Sequence, residues 1–399
     1  MRKISADWIV PGSGAPVPGG VVIVDDDGKI ILLGNREHFD NGGLEIHTGI
    51  ICPGFINAHC HLELSYMHSK IAEHAGMAKF IIELIDYRNG FRLAGESHYP
   101  EIIYDAIRRS EKEMQENGIV AVGDISNDTY TFEFKVNSSL KYHTFVECFG
   151  FYPENAGKYF IQSLKIFQEA RNKNLSASIT PHAPYSVPPE LFRMIFSFTE
   201  NHPPIFSFHS QESKAENDFF ETGSGDFTKV FGHFRLPLSI FQPTGRNSLQ
   251  SVLQFFPEKK KLMLVHNTWS DSTDFKLAAG VNPEIFFCTC PNANLYIHNS
   301  LPDYSHWKNY PDRICIGTDS LASNHQLSVL EEMKTIQRHD ASLSTHQLVQ
   351  WSTLNGAQFF GWDQELGSII PGKKPGLNLI TDMDEEMKFT SASKVVKLI

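Results

Sequence analysis

Short apolar runs recur through the middle of this chain, each followed by a loop and then a helix-like stretch, and that alternation leaves few folds open. The runs are Ile51–His61, Ile119–Ser126, Tyr142–Gly150, Ser176–Ser186, Ile205–Ser213, Lys261–Thr268, Ile285–Asn294 and Arg313–Ser323. Amphipathic stretches lie between them at Glu101–Asn117, Asn155–Asn174, Pro188–His202, Gln326–His339 and Thr345–Phe360. Gly118 stands where a helix C-cap falls, directly before Ile119. Eight strands alternating with helices over about 300 residues predict an α/β chain folded as a (β/α)8 TIM barrel. An open doubly wound sheet is the second reading, weakened because no GxGxxG turn follows an early strand.

The two ends read differently. Strand candidates at Gly20–Asp25, Ile30–Gly34 and Leu44–His47 are separated by turns at Asp25-Asp26-Asp27-Gly28 and Asn41-Gly42-Gly43. After Gly367 short strands return through Gly372, Pro375 and Gly376, and neither end holds a helix of useful length. Residues 1–52 plus 365–399 are therefore expected to form one small β-sandwich-like domain beside a barrel of residues 53–364. A length of 399 residues accommodates both units.

Charge narrows the partners. Lys and Arg number 35 against 46 Asp and Glu, a net −11, which argues against a nucleic-acid face. A mean hydropathy of −0.24 and no apolar run near 18 residues argue against a membrane span. The opening Met-Arg-Lys-Ile-Ser-Ala-Asp lacks a signal-peptide core, and the six cysteines form no CxxC pair. Reduced thiols in a cytoplasmic setting are expected, with a homo-oligomer left open. The 30 phenylalanines are read as core.

The 18 histidines invite a search for metal ligands, and the informative ones sit at the carboxyl ends of the strands, where a barrel builds its site. The first run ends in Asn57-Ala58-His59-Cys60-His61, and alternation puts both imidazoles on one side of an extended chain. The fifth ends in Phe208-His209, the sixth in Val265-His266 and the eighth in Gly317-Thr318-Asp319. Imidazoles with one carboxylate suit zinc or ferrous iron better than magnesium or calcium. One ion is expected. A bridged pair needs a further Lys or Glu on strand four, which reads Ser178-Ile179-Thr180-Pro181-His182.

Glu212 follows His209 by three residues and is placed to shuttle a proton between water and substrate. His182 faces the same mouth and is a candidate for orienting a polar substrate. Ser320, beside Asp319, is a second candidate contact, and Asn294 either braces a loop or touches substrate. His61-Leu62-Glu63 fits HxE, but no PCxxC follows, which excludes the cytidine-deaminase type of zinc site.

Together these residues resemble the amidohydrolase superfamily, in its deaminase and chlorohydrolase branch, over nearly the whole chain. Pro53-Gly54-Phe55-Ile56-Asn57-Ala58-His59-Cys60-His61 is similar to that branch's PGFxNxHxH, His209-Ser210-Gln211-Glu212 to its HxxE, and Gly317-Thr318-Asp319 to its GTD. Gly367–Leu379 resembles the closing GxIxxGKxADL, with Pro375-Gly376-Leu377 in place of Ala-Asp-Leu. Pro181–Ser186 and Gly317–Asn324 look most like the deaminases of S-adenosylhomocysteine, methylthioadenosine or aminodeoxyfutalosine, while His61–Ser65 departs from the Thr- and Met-rich stretch of the homocysteine type. The resemblance implies that His59, His61, His209 and Asp319 ligate the metal and that His266 contacts the attacking water. It implies hydrolytic deamination of a 6-aminopurine nucleoside: Glu212 protonates a ring nitrogen, His266 and Asp319 steer the water, and ammonia leaves. Guanine or pterin deamination, and hydrolysis of a cyclic amide or chloro-heterocycle, are the alternatives. A barrel that keeps a structural ion as a scaffold would need neither Glu212 nor His266.

Overall fold

The computed structural model describes residues 1–39, 42–93, 99–198 and 204–399. Eight parallel strands carry its centre: β1 Phe55–Cys60, β2 Ile119–Ser126, β3 Lys141–Cys148, β4 Ala177–Pro181, β5 Phe206–Ser210, β6 Leu262–His266, β7 Ile285–Thr289 and β8 Ile314–Ile316. They pair in chain order as two four-stranded parallel sheets, β1 to β4 and β5 to β8. Backbone hydrogen bonds cross both gaps between the sheets. His209 N donates to the His182 carbonyl at 2.9 Å, and Thr318 N and Asp319 N each donate to the His59 carbonyl at 3.1 Å. The α/β class with parallel strands agrees with the alternation of apolar runs and helices.

Helices cover the outer faces of these strands, so the strands bury both faces and read as near-continuous apolar runs. Every residue of β1, β5, β6 and β7 is buried. Much of the phenylalanine packs around β5, where Phe192 stacks on Phe255 at 5.4 Å and Phe208 meets Phe256 edge-on at 5.7 Å. At the junction of β8 with β1 only glycine fits. A Cβ on Gly317 would stand 2.8 Å from both the Cβ and the carbonyl oxygen of His59.

The chain ends meet in a pair of further sheets. Arg2–Ser5, Gly20–Val24, Ile30–Asn35 and Leu44–Ile46 make one; Trp8–Ile9, Val17–Pro18, Ile50–Pro53, Leu377–Met383 and Phe389–Lys397 make the other. Leu377–Met383 runs antiparallel to Ile50–Pro53, so the last part of the chain completes a sheet begun near its start.

Several boundaries differ from the sequence reading. The run Ile51–His61 is two strands in two sheets, divided at Gly54, where a side chain would collide with Val120 and the Pro375 carbonyl. The run Ile285–Asn294 stops as a strand at Thr289, because Pro291 opens a helix over Pro291–His298. Only Ile314–Ile316 of the run Arg313–Ser323 is extended in a sheet. Thr345–Phe360 is two helices, broken at Thr353, whose hydroxyl bonds the Val349 carbonyl at 2.6 Å. A helix over Met77–Leu93 has no counterpart in that reading. Asn41 of the expected turn, and residues 199–202 at the end of the Pro188–His202 stretch, lie outside the described residues. No described helix is long and apolar enough to cross a membrane.

Candidate metal centre and its cleft

Three chain segments bring four side chains to one point at the carboxyl ends of the strands. His59 lies on β1, His61 just beyond it, His209 on β5 and Asp319 just after β8. Asn57 ties β1 to that last segment: its Oδ1 accepts from Thr318 N at 3.0 Å and its Nδ2 donates to Thr318 Oγ1 at 2.7 Å. Asp319 and His266 have φ of 57° and 72°, left-handed conformations that are unusual for non-glycine residues and that gather at functional sites. Ser323 Oγ donates to Asp319 Oδ2 at 2.6 Å, leaving Oδ1 for the imidazoles.

His59, His61, His209 and Asp319 form a donor set whose ligand atoms all lie within 4.8 Å of one another. His61 Nε2 is 3.2 Å from His59 Nε2 and 3.3 Å from His209 Nε2, and Asp319 Oδ1 is 3.4 and 3.6 Å from His61 and His59 Nε2. Tetrahedral bonds of about 2.0–2.1 Å put ligand atoms roughly 3.3–3.4 Å apart, so this spacing fits an ion of the zinc class. The protonation states agree. His209 Nδ1 donates to the His182 carbonyl at 2.9 Å, which leaves Nε2 with its lone pair. Burial pushes the His61 imidazole down to about 4 and that of His209 well below its ordinary value, so neutral rings face the centre. Burial alone would raise the Asp319 carboxyl, but the hydrogen bond with His59 and the neighbouring imidazoles hold it well below the usual range.

Glu212 and His266 flank this set without joining it. His266 Nε2 stands 3.6 Å from Glu212 Oε1 and has no hydrogen-bond partner among the described residues, although the ring is buried. Burial lowers the His266 imidazole to about 4. The loop carrying Glu212 is fixed by Glu216, whose carboxyl accepts from Gln211 N and Glu212 N at 3.2 Å each, while Ser213 caps the helix Lys214–Thr222. Burial pushes the Glu212 carboxyl well above the usual range, and Asp319 and Glu216 add to the rise. A carboxyl that holds its proton near neutrality can donate it.

The centre floors a cleft that opens to solvent. Leu64, Met77, Phe80, Ile81 and Leu84 give it an apolar wall, supplied largely by the helix Met77–Leu93. His182 and Ser320, the proposed substrate contacts, both line it, and His182 Nδ1 meets Ser186 Oγ at 2.6 Å. Asn294 is placed otherwise: it is fully buried, does not line the cleft, and its Oδ1 meets His266 Nδ1 at 3.0 Å. Of the two readings left open for Asn294, its position behind His266 is that of a brace. Sequence reasoning passed over Glu147 and Arg88, which line the cleft, and Ser323, which bonds Asp319. Glu147 carried a signal, a lone acid in the apolar run of β3.

The amidohydrolase family pattern matches residues 50–399, and the chain belongs to that family. It is a hydrolase acting on carbon–nitrogen bonds. It is similar to an aminodeoxyfutalosine deaminase of Nitratiruptor sp., at 27% identity over 340 residues covering 84% of this chain and 79% of the relative. It is also similar to a 5-methylthioadenosine/S-adenosylhomocysteine deaminase of Saccharophagus degradans, at 24% identity over 93% of this chain and 81% of that one. Among solved structures, the fold is like that of Helicobacter pylori aminofutalosine deaminase in complex with methylthio-coformycin. The TM-score is 0.77 at 20% identity, over 98% of this chain and 94% of that one.

Proposed function

We propose that this protein is a metal-dependent hydrolytic deaminase of a 6-aminopurine nucleoside with a variable 5′ substituent. The observation that carries the reading is the pairing of Glu212 with His266 at 3.6 Å above a four-donor set. A structural ion needs neither group, whereas hydrolysis needs both a proton carrier and a group to aim water. In this reading His59, His61, His209 and Asp319 hold one ion, zinc by the softness of its imidazole donors. When bound, that ion supplies Lewis-acid chemistry that lowers the pKa of water from 15.7 to about 7.

The chain's own residues do the rest. His266 Nε2, its lone pair free because Nδ1 faces Asn294, holds and aims the attacking water at the ring carbon that bears the amine. Glu212 gives its proton to the neighbouring ring nitrogen. Asp319 and His266 take up the first proton released by water and pass it to the amine, which leaves as ammonia. The remaining hydroxyl proton returns to Glu212 as the ring carbonyl forms. His182 and Ser320 contact the nucleoside. The apolar wall of Met77, Phe80 and Leu84 receives the 5′ substituent, in keeping with relatives named for methylthioadenosine and S-adenosylhomocysteine.

The same reading extends to architecture and setting. Residues 53–364 form a closed (β/α)8 barrel, and residues 1–52 with 365–399 form a small β-domain beside it. The partners are a small-molecule substrate and water in the cytoplasm. An ammonia-release assay over adenine nucleosides, guanine, pterins, a cyclic amide and a chlorotriazine tests the reaction. Adenine nucleosides are expected to be converted fastest. Faster release from guanine or a pterin would overturn the substrate, and chloride or a ring-opened acid as sole product would overturn deamination.

A further inference from the structure

The cleft holds a buried acid, Glu147, that the reaction above does not use. Glu147 ends β3, is 5% exposed and lines the cleft. Its Oε2 accepts from Asn127 Nδ2 at 2.9 Å, but its Oε1 has no hydrogen-bond partner among the described residues. Leaving a buried carboxyl oxygen unpaired is costly, and such an atom facing a cleft calls for a donor from outside. His182 stands beside it with Nδ1 taken by Ser186, so Nε2 is the ring nitrogen left for a ligand. Glu147, His182 and His209 each bring one ligand atom within 4.8 Å of the others.

Two kinds of occupant fit such a group: a second cation, or hydrogen-bond donors of a substrate. His209 decides between them. Its Nδ1, 3.5 Å from Glu147 Oε1, lies 2.9 Å from the His182 carbonyl, which has no proton to give. Nδ1 therefore carries the ring proton and has no lone pair for an ion, while Nε2 belongs to the set with His59 and His61. Glu147 and His182 remain, two ligands where a dedicated ion site uses three or four. A substrate donor is the better match.

We infer that Glu147 is the acceptor for a ribose hydroxyl of the nucleoside, a specificity-determining contact that rests on the deaminase reading. Asn127 fixes the carboxyl, and Oε1 stands on the far side of the His209 ring from Nε2, one imidazole's width from the reacting end of the cleft. A sugar bonded there leaves the base over the four-donor set. An acid is suited to the task because it accepts without competing as a donor, and because a substrate lacking the hydroxyl leaves Oε1 buried and unpaired.

The test compares kcat/KM for the adenine nucleoside converted fastest and for its 2′,3′-dideoxy counterpart, in wild type, Glu147→Leu and Glu147→Gln, with metal content measured on each. Wild type is expected to prefer the ribonucleoside by about 10-fold or more. Both variants should bring that preference within about twofold, mainly through KM, at unchanged metal content. Glu147→Gln keeps an oxygen for Asn127 and serves if the leucine variant does not fold. Three results would each overturn the assignment: a wild type indifferent to the hydroxyls, variants that keep the full preference, or variants that lose metal and both activities in parallel. Two ions per wild-type chain falling to one in the variants would make this a cation site instead. A wild type that deaminates neither nucleoside counts against the reaction itself, whereas turnover without discrimination counts against Glu147 alone.

Discussion

Asn294 Oδ1 lies 3.0 Å from His266 Nδ1, and this one contact decides which nitrogen of the ring faces the cleft. The amide oxygen accepts, so Nδ1 carries the proton and Nε2 presents a lone pair toward Glu212, 3.6 Å away. Asn294→Leu removes the acceptor and frees the tautomer. It should lower kcat by about 10–100-fold, the usual effect of losing a group that orients a catalytic imidazole, with metal content unchanged. Steady-state kinetics with elemental analysis checks this; a kcat within about twofold of wild type would release Asn294 from the role.

In this reading Glu212 carries a proton without holding the ion, and the two tasks can be separated by mutation. His209→Ala or Asp319→Asn breaks the donor set and should lose metal and activity together. Glu212→Gln should keep one ion per chain yet lose turnover by at least about 10²-fold, the low end for a general acid–base. Near-normal turnover in Glu212→Gln would move the proton carrier elsewhere, and two ions per wild-type chain would contradict the single centre.

Beneath the His59–His61 segment lies a buried ion pair. Lys135 Nζ is 2.6 Å from Asp124 Oδ2, both side chains are fully buried, and Asp124 Oδ1 accepts from Leu62 N at 2.8 Å. Lys135→Met leaves the Asp124 charge without its counter-ion, and about 3–5 kcal/mol of stability should be lost. Denaturant unfolding measures it, and a loss below about 1 kcal/mol would show that the pair is dispensable.

Glu332 gives a pH dependence. It is fully buried, accepts from Asn292 N at 2.9 Å and Asn324 Nδ2 at 2.8 Å, and burial pushes its carboxyl up to about 8 from an ordinary 4.5. Between those values the folded chain holds a proton that the unfolded chain has released, so this group makes stability fall as pH rises through that window. Glu332→Gln removes the titration and should flatten the decline by on the order of 1 kcal/mol per pH unit. Unfolding free energies at pH 5 and pH 7.5 compare the two slopes; parallel slopes would contradict the assignment.

How much of this was legible in the sequence depended on whether local pattern or tertiary context set the outcome. Ile119–Ser126 matches the strand to the residue, because the apolar run Ile119–Val122 opens directly after the turn at Gly118. The helix Met77–Leu93 was not read. Met77, Phe80, Ile81, Ile82, Leu84 and Ile85 put apolar groups on several faces, as a helix between a cleft and the protein body requires, and no polar stripe marks it. The donors at the strand ends stood out because polar residues ending apolar runs are conspicuous. Whether Asn294 braces an imidazole or faces the cleft is not legible in sequence, since that depends on how the segment after β7 packs against His266.

The central claim is that water replaces an amino group on a purine, and it can be followed atom by atom. An adenine nucleoside incubated with the metal-loaded enzyme in oxygen-18 water is analysed by mass spectrometry for product and by assay for ammonia. The account predicts one oxygen-18 on the purine ring, at the carbon that carried the amine, and one ammonia for each product formed. Product without label, or label without ammonia, would contradict it.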